Sequence, residues 1–526
     1  MLRHGRLFPA HKLLPRVNHP HLRTLRDFPN DPLFASQWHL RNTGQGGGTA
    51  VAGVAAARGG NGLGVTGVAP RAGIAGLRLV SANFQTDAME AAALTFQNNN
   101  QGGLGTIHIY NNSWGPQDDG RTLAGPAALT RAALAEGTAT GRGGLGSVLV
   151  WAVGNGKGAL DNANYDGYAN SRFALAVGAV TNQGLATSYS EPGACVFVTA
   201  PSDGGPGANA RIVTTDRVGV LGYNTELDGD YATTFAGTSA AAPQVAGIAA
   251  LLLEANPALT WRDVKHILAQ TAAWTHPASP TWVLNAAGFR HSDAYGFGLA
   301  DAHAAAMLAL MWTPVAPEAA YLSGALPVNA PIADGSGLSL TVPVFGAPAT
   351  ATHVCTASLR AETVGVTVNV THAYRGDLEV VLTAPSGVAS VLGTIRNDSG
   401  NDYKGWTFTT VKDWGEYTAG TWTLTVRDGI SNDAGMLVDW SLAIHGTAAP
   451  VMPEVREISR PAPDVWRLRF ASAAGVTYRV FRRDSLTTGS WQAVGGLLTA
   501  SAVETVVDIA TTPGTGQAFF RVAPAY

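Results

Sequence analysis

Continuous apolar runs alternate with segments of helical spacing in the first half of the chain. Residues 147–153 and 173–180 are runs of strand length, and the first ends in a glycine-rich turn. Residues 127–136, 243–254 and 261–270 carry apolar side chains at helical spacing. Strands that are apolar throughout are typical of a parallel sheet covered on both faces. The pattern therefore predicts an α/β domain built on a parallel sheet.

Between about residues 321 and 446, apolar residues instead occur at every second position. Val364, Val366, Val368 and Val370 show it most clearly, and clusters of turn residues separate the alternating runs. Strict alternation indicates strands with one buried face. We therefore predict an antiparallel β-sandwich here and, from weaker alternation in residues 448–526, a small β-sandwich appendage.

Composition narrows the possible functions. The chain has 526 residues, which is too long for a single core, and a formal net charge of −3 with 13% charged residues. This charge predicts no surface for nucleic acid. The sequence has no apolar run of about 18 residues and no signal-peptide core near its start, so we expect no membrane span and no signal peptide. Cys195 and Cys355 are expected to be separate buried residues.

A short motif provides a candidate nucleophile. Gly237-Thr238-Ser239 is rich in small residues and precedes an apolar run with Pro243 near its start, so Ser239 should lie at a helix N-terminus. Free N–H groups and the helix dipole there suit a serine whose attack creates an oxyanion. The alternative is a serine that only caps a buried helix. The motif resembles the serine signature of the subtilisin superfamily.

Further motifs resemble one branch of that superfamily, the kexin- and furin-like proprotein convertases. The resemblance covers about residues 31–313 and rests on 31–34, 37–40, 107–110, 113–116, 141–146, 151–156, 166–168, 212–216 and 259–263. Residues 374–378 and 420–424 resemble the P (homo B) domain that follows such catalytic domains. Arg375-Gly376-Asp377 in that segment is interpreted as a structural turn with an Arg–Asp pair.

The resemblance implies a division into domains. Residues 1–30 are expected to be a leader or propeptide remnant, 31–313 a subtilisin/kexin-like peptidase domain, 314–447 a P domain and 448–526 the β appendage. It also implies that the protein is secreted or at the cell surface. The oligomeric state stays open.

The resemblance further implies roles for nine residues. Ser239 corresponds to the nucleophile and Asn155 to the side-chain donor of the oxyanion hole. Asp166 corresponds to the acid that receives a basic substrate side chain. The remaining positions correspond to a substrate-binding edge (Ser113, Trp114 and Gly115) and to the carboxylates that hold structural calcium (Asp118, Asp161 and Glu191). Ala124 replaces an acidic residue that selects a second basic residue, so strict dibasic selectivity is not expected.

Two members of the catalytic triad are not found. The only Asp-Asp-Gly, at 118–120, does not follow a strand, and no His-Gly-Thr occurs among the 13 histidines. Gly47-Gly48-Thr49 has glycine where the family has histidine. A block of several tens of residues is therefore expected to be missing between about 44 and 49, and His39 is a poor substitute. By sequence, the triad is reduced to Ser239.

Three readings of function follow. The first is a serine endopeptidase that acts on polypeptides after basic residues and is impaired in this chain. The second is an inactive pseudoprotease that serves as an exported binding or surface protein through its β domains. The third is a β-domain surface protein with a vestigial α/β core.

Overall fold

The structure is a computed structural model. It describes residues 22–24, 47–77, 79, 85–99, 106–204, 210–227, 229–449, 453–472, 477–485, 491–502, 504–510 and 518–524. The α-helices are α1 Gly47–Ala56, α2 Asp87–Thr95, α3 Ala128–Thr140, α4 Thr238–Ala255, α5 Trp261–Thr271 and α6 Ala302–Leu310. Short 3₁₀ turns lie at Gly141–Gly144, Lys157–Ala159, Ala163–Tyr165, Gly219–Leu221 and Arg375–Asp377.

The first part of the chain contains a parallel sheet. Its strands and their neighbours are β1 Leu22–Thr24, β2 Ala75–Leu77, β3 Ile109–Asn112, β4 Val148–Ala152, β5 Ala174–Thr181, β6 Val198–Asp203, β7 Ile212–Thr215, β8 Tyr231–Phe235, β9 Val283–Leu284 and β10 Arg290–His291. Strands β3, β4, β5 and β6 pair in that order, and all three pairings are parallel. This confirms the predicted α/β fold.

The sheet is buried on both faces. Every residue of β4 and of β5 is buried, as the continuous apolar runs predicted. Helix α4 packs on one face, where Val245, Ile248 and Leu252 join Val150 and Val177 in one core. Helix α4 is the one described helix that is long and apolar enough to cross a membrane, but most of its surface is buried in this core.

One edge of the parallel sheet is open in the described part of the chain. Strand β3 pairs with β4 on one side, and no described strand pairs with its other side. A cavity of about 930 Å³ adjoins this edge, lined by β3, by β2 and by apolar side chains of α1 and α4. A gap beside β3 is what a missing strand would leave. The absent block near 44–49 nevertheless stays a prediction, because residues 25–46 lie outside the described residues.

Antiparallel sheets make up the next part of the chain. Their strands are β11 Glu318–Leu322, β12 Leu326–Ile332, β13 Ala349–Cys355, β14 Leu359–Thr371, β15 Leu378–Thr383, β16 Ala389–Gly393, β17 Tyr403–Thr410, β18 Gly420–Asp428 and β19 Gly435–Ala448. One sheet has the order β11-β19-β14-β17 with β12 also on β19, and the other has the order β13-β18-β15-β16. Alternate residues of both sheets, including Val366, Val380 and Trp422, fill one apolar core.

Residues after 452 form two small three-stranded sheets. The strands are β20 Val455–Ala462, β21 Val465–Ala471, β22 Thr477–Arg483, β23 Gln492–Thr499, β24 Glu504–Ala510 and β25 Phe519–Pro524. Their orders are β20-β21-β24 and β23-β22-β25, and Phe470 and Tyr478 lie in the core between them. Cys195 and Cys355 are buried and not joined, as predicted.

A buried ion pair joins the α/β part to the antiparallel sheets. Arg262 of α5 donates to both carboxylate oxygens of Glu362 on β14, at 2.8 and 2.5 Å. His266 Nε2 lies 2.9 Å from Glu362 Oε1. Burial alone would raise the pKa of Glu362, but the hydrogen bonds from Arg262 and His266 lower it to about 2. The carboxylate therefore remains charged in the folded protein across the physiological range.

We expect Glu362→Gln to destabilise the chain by about 3–5 kcal/mol near neutral pH, because it leaves the Arg262 guanidinium buried without its counter-charge. The folded-state pKa lies below the ordinary value, so the pair contributes fully above that value and loses its contribution as pH falls toward 2. Calorimetric melting from pH 7 down to pH 3 should show the difference between the two proteins shrinking.

The matched control is Glu379→Gln, which removes a carboxylate that pairs with the more exposed Arg427. That change should cost less than about 1 kcal/mol. Equal losses for the two variants would contradict a special contribution of the buried pair.

Candidate active site

The N-terminus of α4 carries Ser239 at its second position. Gly237 precedes the helix with a φ of 86°, in the region that favours glycine. Pro243, which the sequence places near the start of the helical run, is the sixth residue of the helix. Because proline has no N–H, it cannot bond the C=O of Ser239, and the hydroxyl of Ser113 donates to that C=O instead, at 3.1 Å.

A network that the sequence did not indicate holds the turn before Ser239. The Tyr189 hydroxyl accepts the N–H of Gly237 at 3.1 Å and donates to Ser202 at 2.9 Å. The Ser202 hydroxyl donates in turn to the C=O of Gly237 at 2.6 Å. The backbone N–H and C=O of Gly237 are thus both bound by side chains that are distant in sequence. A local sequence pattern does not predict such contacts.

All nine residues that the sequence singled out line one cavity of about 190 Å³. They are Ser113, Trp114, Gly115, Asp118, Asn155, Asp161, Asp166, Glu191 and Ser239. Asn155 and Glu191 reach it from the segments that follow β4 and β5. The carboxyl ends of these parallel strands and the N-terminus of α4 therefore meet at one place, as in other open α/β sheets.

The side chain of Asn155 is anchored to the start of α4. Its Oδ1 accepts the N–H of Thr238 at 2.8 Å and the Thr238 hydroxyl at 3.1 Å. Its Nδ2 donates to Asp118 Oδ2 at 3.3 Å. The Asn155 amide is thus bound to Thr238, the residue before Ser239. Its N–H groups lie on the cavity side, where one of them donates to Asp118.

Asp166 is a buried carboxyl beside the edge formed by residues 113–115. The N–H of Tyr168 donates to its Oδ1 at 2.7 Å. A Cβ at Gly115 would lie 2.8 Å from its Oδ2, so glycine leaves this oxygen accessible. Burial, and then the charges of Asp118 and Asp161, raise the pKa of Asp166 to about 8.

Three further carboxylates concentrate negative charge beside this carboxyl. Asp161 accepts the N–H of Gly120 at 2.9 Å, and Glu191 accepts the N–H of Gly156 at 2.9 Å. Burial raises the pKa of Asp161, and the charge of Asp118 raises it further. Burial also raises the pKa of Glu191 well above its ordinary value, with Asp161 and Asp118 adding to the shift.

The donor set suits a hard cation. Carboxylate oxygens are preferred calcium ligands, and a bound cation would remove the mutual repulsion. Glycines make room for the carboxylates: a Cβ at Gly154 would lie 2.2 Å from Glu191 Oε1, and one at Gly156 would lie 2.7 Å from Asp161 Cβ. Asp118, Asp161 and Glu191 each accept a hydrogen bond as well, and their oxygens do not all lie within 4.8 Å of one another.

No described histidine lines the cavity, and the Ser239 hydroxyl has no hydrogen-bond partner among the described residues. Helix α1, which begins at Gly47, packs against α4 with Ala50 and Ala240 in one cluster. Glycine therefore occupies the start of the helix that packs against α4. His39 lies outside the described residues.

This fold and site define a class. A parallel α/β sheet, a serine at the N-terminus of its central buried helix and an asparagine anchored beside it are the framework of a subtilisin-like serine peptidase. Comparison with protein families agrees: residues 18–298 match the Subtilase family and residues 361–444 match the Proprotein convertase P-domain. The first match spans more than half of the chain, and the chain belongs to the subtilase family.

Curated relatives are proprotein convertases. Human proprotein convertase subtilisin/kexin type 7 is 40% identical over 406 residues, which cover 76% of this chain and 49% of that protein. Human furin is 38% identical over 413 residues, covering 77% of this chain and 49% of furin. Rat proprotein convertase subtilisin/kexin type 5 is 37% identical over 431 residues, 81% of this chain and 22% of that protein. The chain therefore spans about half or less of these relatives.

Solved structures support the fold. The serine protease of Aeromonas sobria aligns with a TM-score of 0.67 and 24% identity, covering 77% of this chain and 82% of the other. The same protease in complex with its chaperone gives a TM-score of 0.68 at 24% identity, covering 78% and 82%.

Proposed function

We propose that this protein is a serine endopeptidase of the subtilisin/kexin type that cleaves polypeptides after basic residues. The observation that carries the proposal is the single cavity at the start of α4, which Ser239, Asn155 and Asp166 line together. A nucleophile and an amide donor meet the requirements of acyl transfer to serine, and a buried acid in the same cavity of about 190 Å³ can select a substrate side chain.

The proposed chemistry assigns a step to each group. The Ser239 oxygen attacks the scissile carbonyl carbon, and a base takes its proton. Negative charge then develops on the carbonyl oxygen, where Asn155 Nδ2 and the N–H of Ser239 donate hydrogen bonds. The C–N bond breaks as the same proton passes to the leaving amine, and water later releases the acyl group. Asn155 must turn one N–H from Asp118 toward this oxygen.

No described residue around the cavity can act as this base. Without a histidine beside it, Ser239 stays protonated near neutral pH and remains a weak nucleophile. In a subtilisin triad, loss of the histidine costs on the order of 10⁶ in turnover, about as much as loss of the whole triad. We therefore propose that the molecule as printed is impaired, and that an intact relative with the missing block would be active.

We expect the chain not to react with a fluorophosphonate probe and not to cleave peptides after Arg or Lys. Gly47→His places an imidazole at the start of α1 and should raise labelling by on the order of 10–100-fold, since the aspartate is still lacking. Gel fluorescence and mass spectrometry of the labelled peptide measure this. Labelling of the unmodified chain that disappears in Ser239→Ala would contradict the proposal, because a base would then exist elsewhere.

Selectivity for basic side chains rests on Asp166. Its carboxyl is buried, one oxygen stays accessible beside Gly115, and no basic side chain is among the groups that act on its pKa. A guanidinium or ammonium group entering the cavity would supply the missing positive charge and favour the ionised carboxylate. Ala124 forms a backbone bridge with Asp166 and adds no second acid, so one basic residue is expected to suffice.

We expect benzamidine, an amidinium probe, to bind the unmodified chain and to bind Asp166→Asn at least about tenfold more weakly, because a buried charge pair is lost. The free carboxyl has a pKa of about 8, so affinity should rise with pH up to that value and level off above it. Calorimetric titration between pH 6 and 9 measures both effects. Equal, pH-independent binding by the two proteins would exclude Asp166 as the recognition group.

Calcium is proposed as a structural ion at Asp118, Asp161 and Glu191. Bound there, it would neutralise the carboxylates and so lower the pKa of neighbouring Asp166 toward its ordinary range. The support is chemical: three acidic side chains line one cavity, and two of them have raised pKa values caused by burial and mutual repulsion.

We expect isothermal titration with calcium to show a site that Asp161→Asn weakens by at least about tenfold, since one charged ligand is removed. Asp119→Asn is the matched control, because Asp119 is adjacent in sequence but accepts hydrogen bonds from Arg121 and Thr122 outside the trio. Identical calcium binding by the unmodified chain and Asp161→Asn would refute the assignment.

A second candidate function is a catalytically inactive binding protein. The observation that favours it is that no described histidine lines the cavity, together with the large β region that follows. In that case benzamidine or basic peptides bind without turnover, and Gly47→His produces no labelling. We propose action outside the cell in either case, as expected for chains that resemble proprotein convertases.

A further inference from the structure

A cluster of one histidine and two aspartates lies in the antiparallel part, far in sequence from the serine site. His372 follows β14, Asp428 ends β18, and Asp433 stands in the loop before β19. His372 Nε2 lies 3.5 Å from Asp428 Oδ2 and 3.6 Å from Asp433 Oδ1. Their candidate ligand atoms all lie within 4.8 Å of one another.

Hydrogen bonding identifies the free nitrogen of His372. Its Nδ1 lies 2.8 Å from the C=O of Tyr374, which can only accept, and 3.2 Å from the N–H of Tyr374, which can only donate; the shorter contact favours the tautomer with the hydrogen on Nδ1. In the neutral ring Nε2 then holds a lone pair. The side chain is fully buried, and Nε2 has no hydrogen-bond partner. Both carboxylate oxygens of Asp433 are also buried without a hydrogen-bond partner.

Negative charge around this ring is in excess. Asp377 and Asp334 lie close enough to add to the field of Asp428 and Asp433. Burial, followed by the charges of Asp433 and Asp428, raises the pKa of Asp377 to about 6. Among the described residues that act on Asp377 and Asp433, only His372 lowers their pKa values.

Arg375 does not supply a positive charge to the carboxylates around His372. The sequence predicted an Arg–Asp pair within Arg375-Gly376-Asp377, and this is wrong: the Arg375 side chain binds Asp398, with Nε 2.7 Å from Oδ2. Asp377 faces the acidic cluster instead. The carboxylates are therefore left without an arginine or lysine partner among the described residues that shift their pKa values.

We propose that His372, Asp428 and Asp433 bind a divalent transition-metal ion, with zinc as the best match. An imidazole nitrogen beside two carboxylates suits zinc, whereas calcium takes oxygen ligands. Two donors that bind tetrahedral zinc at about 2.0–2.2 Å lie about 3.3–3.6 Å apart, and the observed separations of 3.5 and 3.6 Å agree. The Tyr374 carbonyl is the outer partner that orients a ligating histidine.

The surroundings fix this geometry. A Cβ at Gly435 would lie 2.6 Å from His372 Cδ2, so the glycine allows the ring to pack against β19. Asp428 Oδ1 accepts the N–H of Ile430 at 2.9 Å, which orients the carboxylate. An ion at this point would tie the ends of β14 and β18 to the loop before β19.

The test uses the full chain, freed of metal by a chelator and titrated with cobalt(II) as a spectroscopic substitute for zinc, then with zinc. We expect visible absorption bands from one equivalent of cobalt, loss of these bands on adding zinc, and a higher melting temperature with zinc. Asp433→Asn should weaken zinc binding at least about tenfold and remove the bands. His4, His11, His19 and His21 can also take zinc, so the difference between variants is the measured quantity.

Asp439→Asn is the matched control, because Asp439 lies on β19 and accepts a hydrogen bond from Asn369 outside the cluster. It should bind metal as the unmodified chain does. Near-ultraviolet circular dichroism checks that Asp433→Asn is folded, and His372→Asn gives a second test. Equal metal binding by all variants would overturn the proposal. So would a chain that binds calcium here but no zinc, or one that binds neither and keeps His372 protonated in nuclear magnetic resonance titrations.

Discussion

The packing of α4 against the parallel sheet is the interaction on which the rest of the serine site depends. Small side chains let the helix approach its neighbours closely: a Cβ at Gly247 would lie 2.6 Å from Val68 Cβ. Because α4 is buried along most of its length, its N-terminus is fixed relative to the ends of β4 and β5. Ser239 and Asn155 therefore meet through the topology of the sheet, and Tyr189 and Ser202 only refine the turn before the helix.

Buried negative charge is the second constraint. The carboxylates around Asp166 raise one another's pKa values, and the proposed cation or basic side chain would relieve their repulsion. The cluster around His372 has the same excess of charge with a different donor set. Oxygen ligands alone favour calcium at the first, while the nitrogen lone pair favours a softer ion at the second. Ligand chemistry, rather than charge alone, separates the two proposed sites.

Much of the fold and of the serine site could be predicted from the sequence, because apolar runs and short motifs are local features of the chain. The run at 147–153 became the fully buried β4, and the motif around Ser239 opened a helix. Contacts between distant residues could not be predicted: Arg262 meets Glu362 across 100 positions, and no periodicity encodes that pair. The pairing of Arg375 was predicted wrongly, because a turn motif does not specify where a long side chain reaches. Pro243 lies at the sixth position of α4 and not at its start, because a sequence motif alone does not specify the residue at which a helix begins.

The proposed nucleophile and its base would come from separable parts of this fold. Strands β4 to β6 and helix α4 share a continuous core, to which the edge strand β3 contributes only the partly buried Ile109. The proposed base would come from the start of α1, which lines the cavity of about 930 Å³ beside β3. A gap in the sheet at that edge removes backbone partners from β3 but leaves the packing of α4 on β4 and β5 intact. This explains how the cavity around Ser239 can persist although no described histidine lines it.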